Sequence, residues 1–217
     1  MERDITSLPT KRVAVVTGGN KGIGLEVCRQ LAADGITVVL TARDETRGVE
    51  AAEKLSGMGL SSVVFHQLEV NNAAVGGMEY VQGVDTNKEQ VVNNEDLRKE
   101  LDDVDNLTEE RLDEVLDSFL KDFEAGALEA HGWPTAFAAY KTAKVAMNAY
   151  TRILARRHPE LRVNCAHPGY VKTDMTIDSG FLTPEEGGRN VVTVALLPDG
   201  GPTGAFFAEG KEASFLG

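Results

Sequence analysis

Residues 13–24 read VAVVTGGNKGIG and decide the fold of this chain. The β-branched run Val13–Thr17 predicts a short strand, and Gly22–Ala33 predicts a helix because its apolar residues fall on one stripe. Glycines between the two let the backbone turn sharply and approach a pyrophosphate without a Cβ clash. A helix N-terminus adds free N–H groups and a partial positive charge, which favour a phosphate. This arrangement is typical of a dinucleotide-binding site, and a tight structural turn without a ligand is the alternative.

The rest of the chain continues the alternation of strands and helices. Apolar runs predict further strands at Thr37–Leu40, Ser62–Gln67, Leu161–Cys165 and Gly204–Ala208, and helices at Asp44–Leu55, Thr135–Arg157 and from Thr183 to Pro198. Unbroken apolar strands between helices indicate a parallel sheet covered on both faces. We therefore predict an α/β fold with a doubly wound, Rossmann-like parallel sheet. A length of 217 residues favours one domain over residues 1–217.

The composition excludes several classes of function. Acidic residues outnumber basic ones 34 to 22, and the net charge of −12 disfavours binding to a nucleic-acid backbone. The apolar stretches are far shorter than the ~20 residues that span a bilayer, and the N-terminal residues lack a signal peptide's apolar core. Cys28 and Cys165 cannot form a disulfide framework, and the four histidines lack metal-ligand spacing. These features predict a cytoplasmic protein without a nucleic-acid, membrane or metal partner.

Arg43 indicates which dinucleotide the glycine turn would bind. It stands 19 residues after Gly24, at the end of the second predicted strand. An acidic residue at that place would bind the ribose of NAD, whereas a basic one would bind the 2′-phosphate of NADP. Lys21 within the turn would add a second positive charge. The two cations favour NADP(H), and a surface arginine paired with the adjacent Asp44 is the alternative.

Tyr140 and Lys144 form a candidate acid–base pair. Their i, i+4 spacing places the two side chains on one face of the predicted helix. An ammonium beside a phenol favours the ionised phenol, so that a tyrosine in such a setting can act as a general acid or base. A pair of this kind also arises by chance. It is therefore evidence for a catalytic site only in combination with the other motifs in the chain.

The order of these motifs resembles that of the short-chain dehydrogenase/reductase superfamily. The residues that carry the resemblance are Thr17–Gly24, Arg43, Asn71-Asn72-Ala73, Tyr140-x-x-x-Lys144 and Pro168-Gly169. The run from Leu107 to Gly204 is similar to the plant carbonyl reductase-like branch, which includes the menthone and salutaridine reductases. The resemblance implies NADPH-dependent reduction of a small-molecule ketone or aldehyde by a monomer. The cofactor would then supply the hydride, and the protein would supply position and electrostatics.

The resemblance also implies a role for individual residues. Tyr140 would protonate the carbonyl oxygen, and Lys144 would bind the nicotinamide ribose and favour the ionised phenol. The pyrophosphate and adenosine side would be held by Gly18, Asn20, Lys21, Gly22, Ile23 and Gly24, with Arg43 at the 2′-phosphate. Glu69 would face the adenine and Asn71 the adenosine ribose, while Pro168, Gly169, Val171 and Thr173 would lie along the nicotinamide.

The chain departs from the family pattern in two places. The third predicted strand ends near Gln67 and only three residues separate it from Asn71, whereas a parallel crossover needs a dozen or more residues. The crossover helix and fourth strand of the family therefore have no room. The family's catalytic serine is also missing, because the only serine between Gly77 and Tyr140 is Ser118, inside a predicted helix. We expect a sheet that lacks one or two central strands and an impaired activity, and we assign no catalytic serine.

An acidic segment lies before the tyrosine helix. Residues 95–124 contain 13 acidic and 4 basic residues. The apolar residues Leu112, Val115, Leu116, Phe119, Leu120 and Phe123 share one face of a helix that Thr108 would cap, within an insertion at about 93–131. A solvated surface helix is the simpler interpretation, and a dedicated protein-binding helix is the alternative.

The sequence alone does not decide between three functions and two arrangements of the sheet. The leading function is the NADPH-dependent reductase, followed by an inactive truncated or splice form that at most binds NADP. The third is an interaction protein that uses the acidic helix. In the sheet, either Leu161–Cys165 pairs with the first strand, or a hydrophobic edge remains open.

Overall fold

The structure is a computed structural model that describes residues 12–68, 94–103 and 105–214. In chain order the elements are β1 (Val13–Val16), α1 (Gly22–Ala33), β2 (Thr37–Ala42), α2 (Glu45–Gly57), β3 (Val63–Gln67), α3 (Glu95–Asp102), α4 (Glu109–Glu124), α5 (Ala138–Arg157), β4 (Cys165–His167), α6 (Pro184–Ala195), β5 (Phe206–Ala208) and β6 (Lys211–Ala213). Two compact units divide the chain: residues 1–71 with 168–196, and residues 72–167 with 197–217. A single domain over 1–217, with its insertion at about 93–131, stays a prediction.

The first unit contains a three-stranded parallel sheet in the order β1-β2-β3. α1 and α2 pack against β2, and Val38 and Leu40 are fully buried in the resulting core. α6 packs along α1, where Gly188 permits a close approach, since a Cβ at that position would lie 2.8 Å from the Cβ of Glu26. Thr183 caps α6 through a reciprocal capping box with Glu186.

Several valines of this sheet are exposed. Val13 and Val15 of β1 keep 62% and 63% of their surface accessible, and Val64 of β3 keeps 51%. The expectation of a sheet covered on both faces is therefore wrong at β1. Among the residues that the structure describes, β1 has β2 as its one strand neighbour. Of the two arrangements predicted for the sheet, pairing of Leu161–Cys165 with the first strand is not found among the described residues, while the α/β class with a parallel sheet is confirmed.

The second unit combines helices α3, α4 and α5 with a small sheet. β4 pairs in parallel with β5, and β5 pairs antiparallel with β6. The core between the helices includes Leu101, Leu112 and Ile153, and a neighbouring cluster holds Phe119 and Trp133, whose rings meet edge to face at 5.3 Å. The predicted amphipathic helix is confirmed as α4, and the Thr108 hydroxyl caps it by accepting from the Arg111 N–H at 3.2 Å.

Two boundaries in the second unit differ from the sequence prediction. α5 begins at Ala138 rather than Thr135, because Phe137 adopts a left-handed conformation with φ of 53° and interrupts the helix. β4 begins at Cys165 rather than Leu161, because side chains replace the strand ladder before it. Thr203 Oγ1 accepts from the Val163 N–H at 3.1 Å, and Asn164 Oδ1 accepts from the Ala205 N–H at 3.0 Å.

One further observation concerns membranes. Within the three described ranges, no helix has both the length and the apolar character that crossing a bilayer requires.

Candidate functional site

The turn between β1 and α1 is built on glycine. Gly18 and Gly22 adopt left-handed conformations with φ of 65° and 54°, which glycine reaches without strain. A Cβ at Gly24 would lie 2.3 Å from the Gly18 carbonyl oxygen, so the start of the helix sits directly on the turn. The Gly19 N–H donates to the Thr41 carbonyl at 2.9 Å and fixes the turn to the end of β2.

The N-terminus of α1 is open to an anion. Lys21 is its N-cap residue and makes no capping hydrogen bond with its side chain. The first-turn N–H groups of a helix have no partner within the helix, so an uncapped start next to a glycine turn presents donors to a phosphate. This geometry fits the pyrophosphate of a dinucleotide at the predicted residues Gly22, Ile23 and Gly24. The Ile23 side chain is partly buried and packs on the core of the unit.

Cys28 lies beneath this turn and has a packing role. A Cβ at Gly19 would come within 2.9 Å of the Cys28 sulfur, so the thiol fills the space under the turn. Burial raises the pKa of the Cys28 thiol to about 12. The thiol therefore stays protonated at neutral pH and is unsuited to act as a nucleophile.

Lys21 and Thr173, two predicted site residues from distant parts of the chain, are brought together. The Lys21 ammonium forms an ion pair with Asp174 at 2.5 Å, and the Thr173 methyl group lies 3.6 Å from the place of a Cβ at Gly22. The hydrogen bond from Lys21 lowers the pKa of the Asp174 carboxyl below its usual value. Asp174 thus offsets part of the positive charge that Lys21 would offer to a phosphate.

Arg43 stands exposed at the end of β2, and its carbonyl accepts from the Gln67 amide at 2.9 Å. Asp44 caps α2 by accepting from the Arg47 N–H at 2.9 Å, and its other oxygen lies 3.9 Å from the Arg47 guanidinium. Asp44 is therefore engaged with Arg47, and no described carboxylate forms an ion pair with Arg43. The alternative of an Arg43–Asp44 pair is wrong for the described residues.

Arg47 is a candidate that the sequence analysis missed. It lies one helical turn after Arg43, in the first turn of α2, and its side chain is largely exposed. The sequence feature that could have identified it is its position four residues after Arg43, because this spacing places both cations near the carboxyl end of β2. With Lys21, the first unit contributes three cations near its glycine turn and the strand end that follows it.

The segment from Pro168 to Thr173 is firmly held within the first unit. The Asn190 amide of α6 donates to the Pro168 carbonyl at 2.9 Å, and Gly169 has a φ of 94° that glycine alone adopts readily. Val171 is buried and forms a bridge with Leu182. All four residues predicted along the nicotinamide therefore belong to the same unit as the glycine turn.

Tyr140 and Lys144 lie in the first turns of α5, in the second unit. The Lys144 ammonium stands 5.8 Å from the centroid of the Tyr140 ring, a cation–π arrangement. The opposite stripe of α5, which includes Thr142 and Val145, is buried, whereas Tyr140 keeps 37% of its surface accessible. The structure thus places the pair on one helix face as predicted, and its catalytic role stays a prediction.

The remaining predicted residues are less informative. Asn20 is half-buried in the glycine turn. Glu69 and Asn71 lie outside the described residues. Ser118 lies on the exposed side of α4 and donates to the Glu114 carbonyl of its own helix at 2.8 Å. That its hydroxyl has no catalytic role stays a prediction.

Comparison with known proteins identifies the family. The family model described as short chain dehydrogenase matches residues 12–117 and 129–180. The chain belongs to the short-chain dehydrogenase/reductase family. Relatives include short-chain dehydrogenase/reductase 1 of Saponaria officinalis, which is 35% identical with 96% of this chain and 97% of that protein covered. Salutaridine reductase of Papaver bracteatum is 35% identical, with 90% and 94% covered. Carbonyl reductase [NADPH] 1 of Rattus norvegicus is 30% identical, with 92% and 96% covered.

Solved structures agree with this family assignment. The structure of salutaridine reductase from Papaver somniferum matches with a TM-score of 0.78 and 35% identity, covering 90% of this chain and 99% of that one. The Rossmann-like fold and the resemblance to the plant reductases are confirmed. The alignment with the Saponaria relative runs over 294 positions, whereas this short-chain dehydrogenase/reductase has 217 residues. The additional positions of the alignment are ones that this chain lacks, in agreement with the missing segments predicted from the sequence. The relatives support an oxidoreductase of the carbonyl reductase type.

Proposed function

We propose that this protein uses NADPH to reduce the carbonyl group of a small-molecule ketone or aldehyde. The observation that carries the proposal is the glycine turn with its uncapped helix, accompanied by Lys21, Arg43 and Arg47. Three cations in a protein of net charge −12 favour a cofactor with an additional phosphate. The relatives named for salutaridine and for NADPH-dependent carbonyl reduction support a carbonyl substrate of small size.

In the proposed reaction the chain contributes binding, position and one proton. When bound, NADPH supplies the hydride. The glycine turn and the start of α1 hold its pyrophosphate, and Arg43 with Lys21 holds the 2′-phosphate. The Tyr140 hydroxyl gives its proton to the carbonyl oxygen of the substrate. The Lys144 ammonium, 5.8 Å from the ring centroid, stabilises the negative charge that remains on the tyrosine oxygen.

We expect this activity to be weak. The family's serine would hold the substrate oxygen, and the described residues from 94 to 139 provide Ser118, turned to its own helix, as their one serine. Losing one such oriented donor costs about 100- to 1000-fold in rate. The second candidate function follows from the same observation: a remnant that binds NADP through the first unit without turning over a substrate.

Thermal unfolding with NADP, NAD and no ligand tests the cofactor site. We expect NADP at 100 times its Kd to stabilise the protein by ~2.7 kcal/mol, and NAD to do much less at equal concentration. Arg43→Ala should remove the difference between the two cofactors, whereas Arg189→Ala on the exposed side of α6 should retain it. Equal stabilisation by NAD and NADP in the unaltered protein would overturn the preference for NADP.

Oxidation of NADPH in the presence of a panel of ketones and aldehydes tests the chemistry. Turnover that is lost in Tyr140→Phe supports the proposed reductase. Stabilisation by NADP without turnover supports the remnant instead. Turnover that survives in Tyr140→Phe would show that another group donates the proton. The proposal includes a monomer in the cytoplasm, which size-exclusion chromatography with light scattering and cell fractionation test.

A further inference from the structure

α4 carries two adjacent apolar stripes, and two large side chains of the second one are exposed to solvent. Leu112, Val115 and Phe119 are buried against the other helices of the second unit. Leu116, Leu120 and Phe123 follow each other at i, i+4 and i+7, so that they form a second, adjacent stripe. Within it Leu116 is half-buried and lines a small cavity with Leu112 and Val145, and the Phe123 ring lies 5.9 Å from that of Phe119. Leu120 and Phe123 keep 54% and 55% of their surface accessible. Two large apolar side chains one turn apart are thus left to solvent on a helix that is otherwise strongly acidic.

The carboxylates of α4 differ in their partners. Three of them form ion pairs: Glu109 pairs with Arg157 at 2.7 Å, Glu114 with Arg111 at 2.7 Å, and Asp122 with His131 at 2.8 Å. Asp113, Asp117 and Glu124 border the stripe, since each lies three or four residues from one of its members. All three are exposed, and none forms an ion pair with a residue that the structure describes.

We propose that Leu120, Phe123, Asp113, Asp117 and Glu124 form a docking face for a basic amphipathic helix of another protein. The apolar side of such a helix covers the stripe, and its lysines or arginines meet the three unpaired carboxylates. Charge decides the identity of the occupant. A second copy would bring two such rows of carboxylates together, and a membrane of anionic lipids would repel them. The same row of carboxylates attracts a cationic partner and increases its affinity.

This docking face goes beyond the reductase function and does not depend on it. The face belongs entirely to α4 in the second unit, and the proposed cofactor residues of the glycine turn belong to the first. Thermal unfolding without ligand therefore shows whether each variant of the face is folded, and stabilisation by NADP in the same variants tests the cofactor proposal separately.

Trp133 provides the signal for a binding experiment. It is the single tryptophan of the chain, its ring packs on Phe119 of α4, and its indole N–H donates to Asp122 of α4 at 2.7 Å. The probe is a synthetic helical peptide made of leucine and lysine, without tryptophan. We expect a saturable change in Trp133 emission with one peptide per chain. Affinity should fall at least about tenfold when salt rises from low to high concentration, because exposed charges are screened.

Two sets of substitutions separate the apolar and charged parts of the face. Leu120→Gln with Phe123→Gln should abolish peptide binding, and Asp113→Asn with Asp117→Asn and Glu124→Gln should weaken it at least about tenfold. A matched control replaces three exposed carboxylates of α2, Glu45, Glu50 and Glu53, by glutamine and should leave binding unchanged. A peptide in which glutamate replaces lysine should not bind.

Several outcomes would overturn the proposal. These are an absence of saturable binding, equal binding by the acidic peptide, and equal weakening by the α2 control. Light scattering of the protein alone gives the last test. Dimers that disappear with Leu120→Gln and Phe123→Gln would show that a second copy is the occupant.

Discussion

At the scale of single residues, the Lys21–Asp174 pair controls how much positive charge the glycine turn offers. The two residues are 153 positions apart, so no local sequence signal reveals the pair. Asp174→Asn removes the negative partner while keeping the size of the side chain. We expect NADP to bind severalfold more tightly to this variant and NAD to bind as before, because the freed ammonium meets the 2′-phosphate. Isothermal titration with both cofactors measures this, with the exposed Asp178→Asn as control.

Gly24 offers a test of the close approach between turn and helix. A Cβ at Gly24 would overlap the Gly18 carbonyl oxygen at 2.3 Å, and backbone cannot move aside as a flexible side chain can. We expect Gly24→Ala to lower the free energy of unfolding by about 2 kcal/mol or more and to remove stabilisation by NADP. Gly57→Ala at the end of α2, where a Cβ meets nothing within 4 Å, should change stability by less than about 1 kcal/mol. Similar urea midpoints for the two variants would contradict the expectation.

At the scale of elements, the sequence was most informative where local signals coincide. α1 begins and ends as predicted, because the glycine turn, the apolar stripe and the glycine after its end agree. The predicted starts of α5 and of the strand at Leu161 were wrong. The positive φ at Phe137 and the hydrogen bond that Thr203 Oγ1 accepts from the Val163 N–H depend on tertiary contacts that the local sequence does not reveal. α3 was missed although Asn94 caps it by accepting from the Leu97 N–H, since its eight residues carry few apolar side chains.

The junction between α4 and Trp133 predicts a pH dependence of stability. Hydrogen bonds from the Trp133 indole and His131 lower the pKa of the Asp122 carboxyl. In the unfolded chain this pKa returns to ~4. The ionised carboxylate therefore stabilises the fold above that pH, and the stabilisation is lost as the pH falls through the lower folded-state pKa. Asp122→Asn keeps an acceptor for Trp133 without the charge.

We expect thermal unfolding of the unaltered protein, followed by Trp133 fluorescence, to lose stability more steeply than that of Asp122→Asn between about pH 5 and pH 3. Asp117→Asn on the exposed side of α4 serves as a control with the same chemical change. Parallel pH profiles for all three proteins would show that the Asp122 hydrogen bonds do not contribute to the acid response.

At the scale of the whole molecule, the exposed valines of β1 and its single strand neighbour among the described residues bear on association between chains. A hydrophobic strand with free backbone groups is a site for association with other chains. We expect the protein to aggregate on concentration, and Val15→Lys to raise the concentration at which this begins, since a lysine on an edge strand opposes pairing. Val49→Lys places the same substitution on the exposed side of α2 and should have little effect. Light scattering against concentration measures both variants.

The packing of α6 on α1 also determines when the nucleotide-binding unit can form during synthesis. Residues 12–68 and 168–196 leave the ribosome far apart in time, because a chain grows by ~5–20 residues per second. Until α6 has left the ribosome, the side of α1 that it covers is exposed to solvent. The first unit is then incomplete. A nascent chain stalled before Thr183 would thus expose the side of α1 that α6 covers in the complete unit. We expect chaperones that recognise apolar surface to bind such ribosome-bound intermediates.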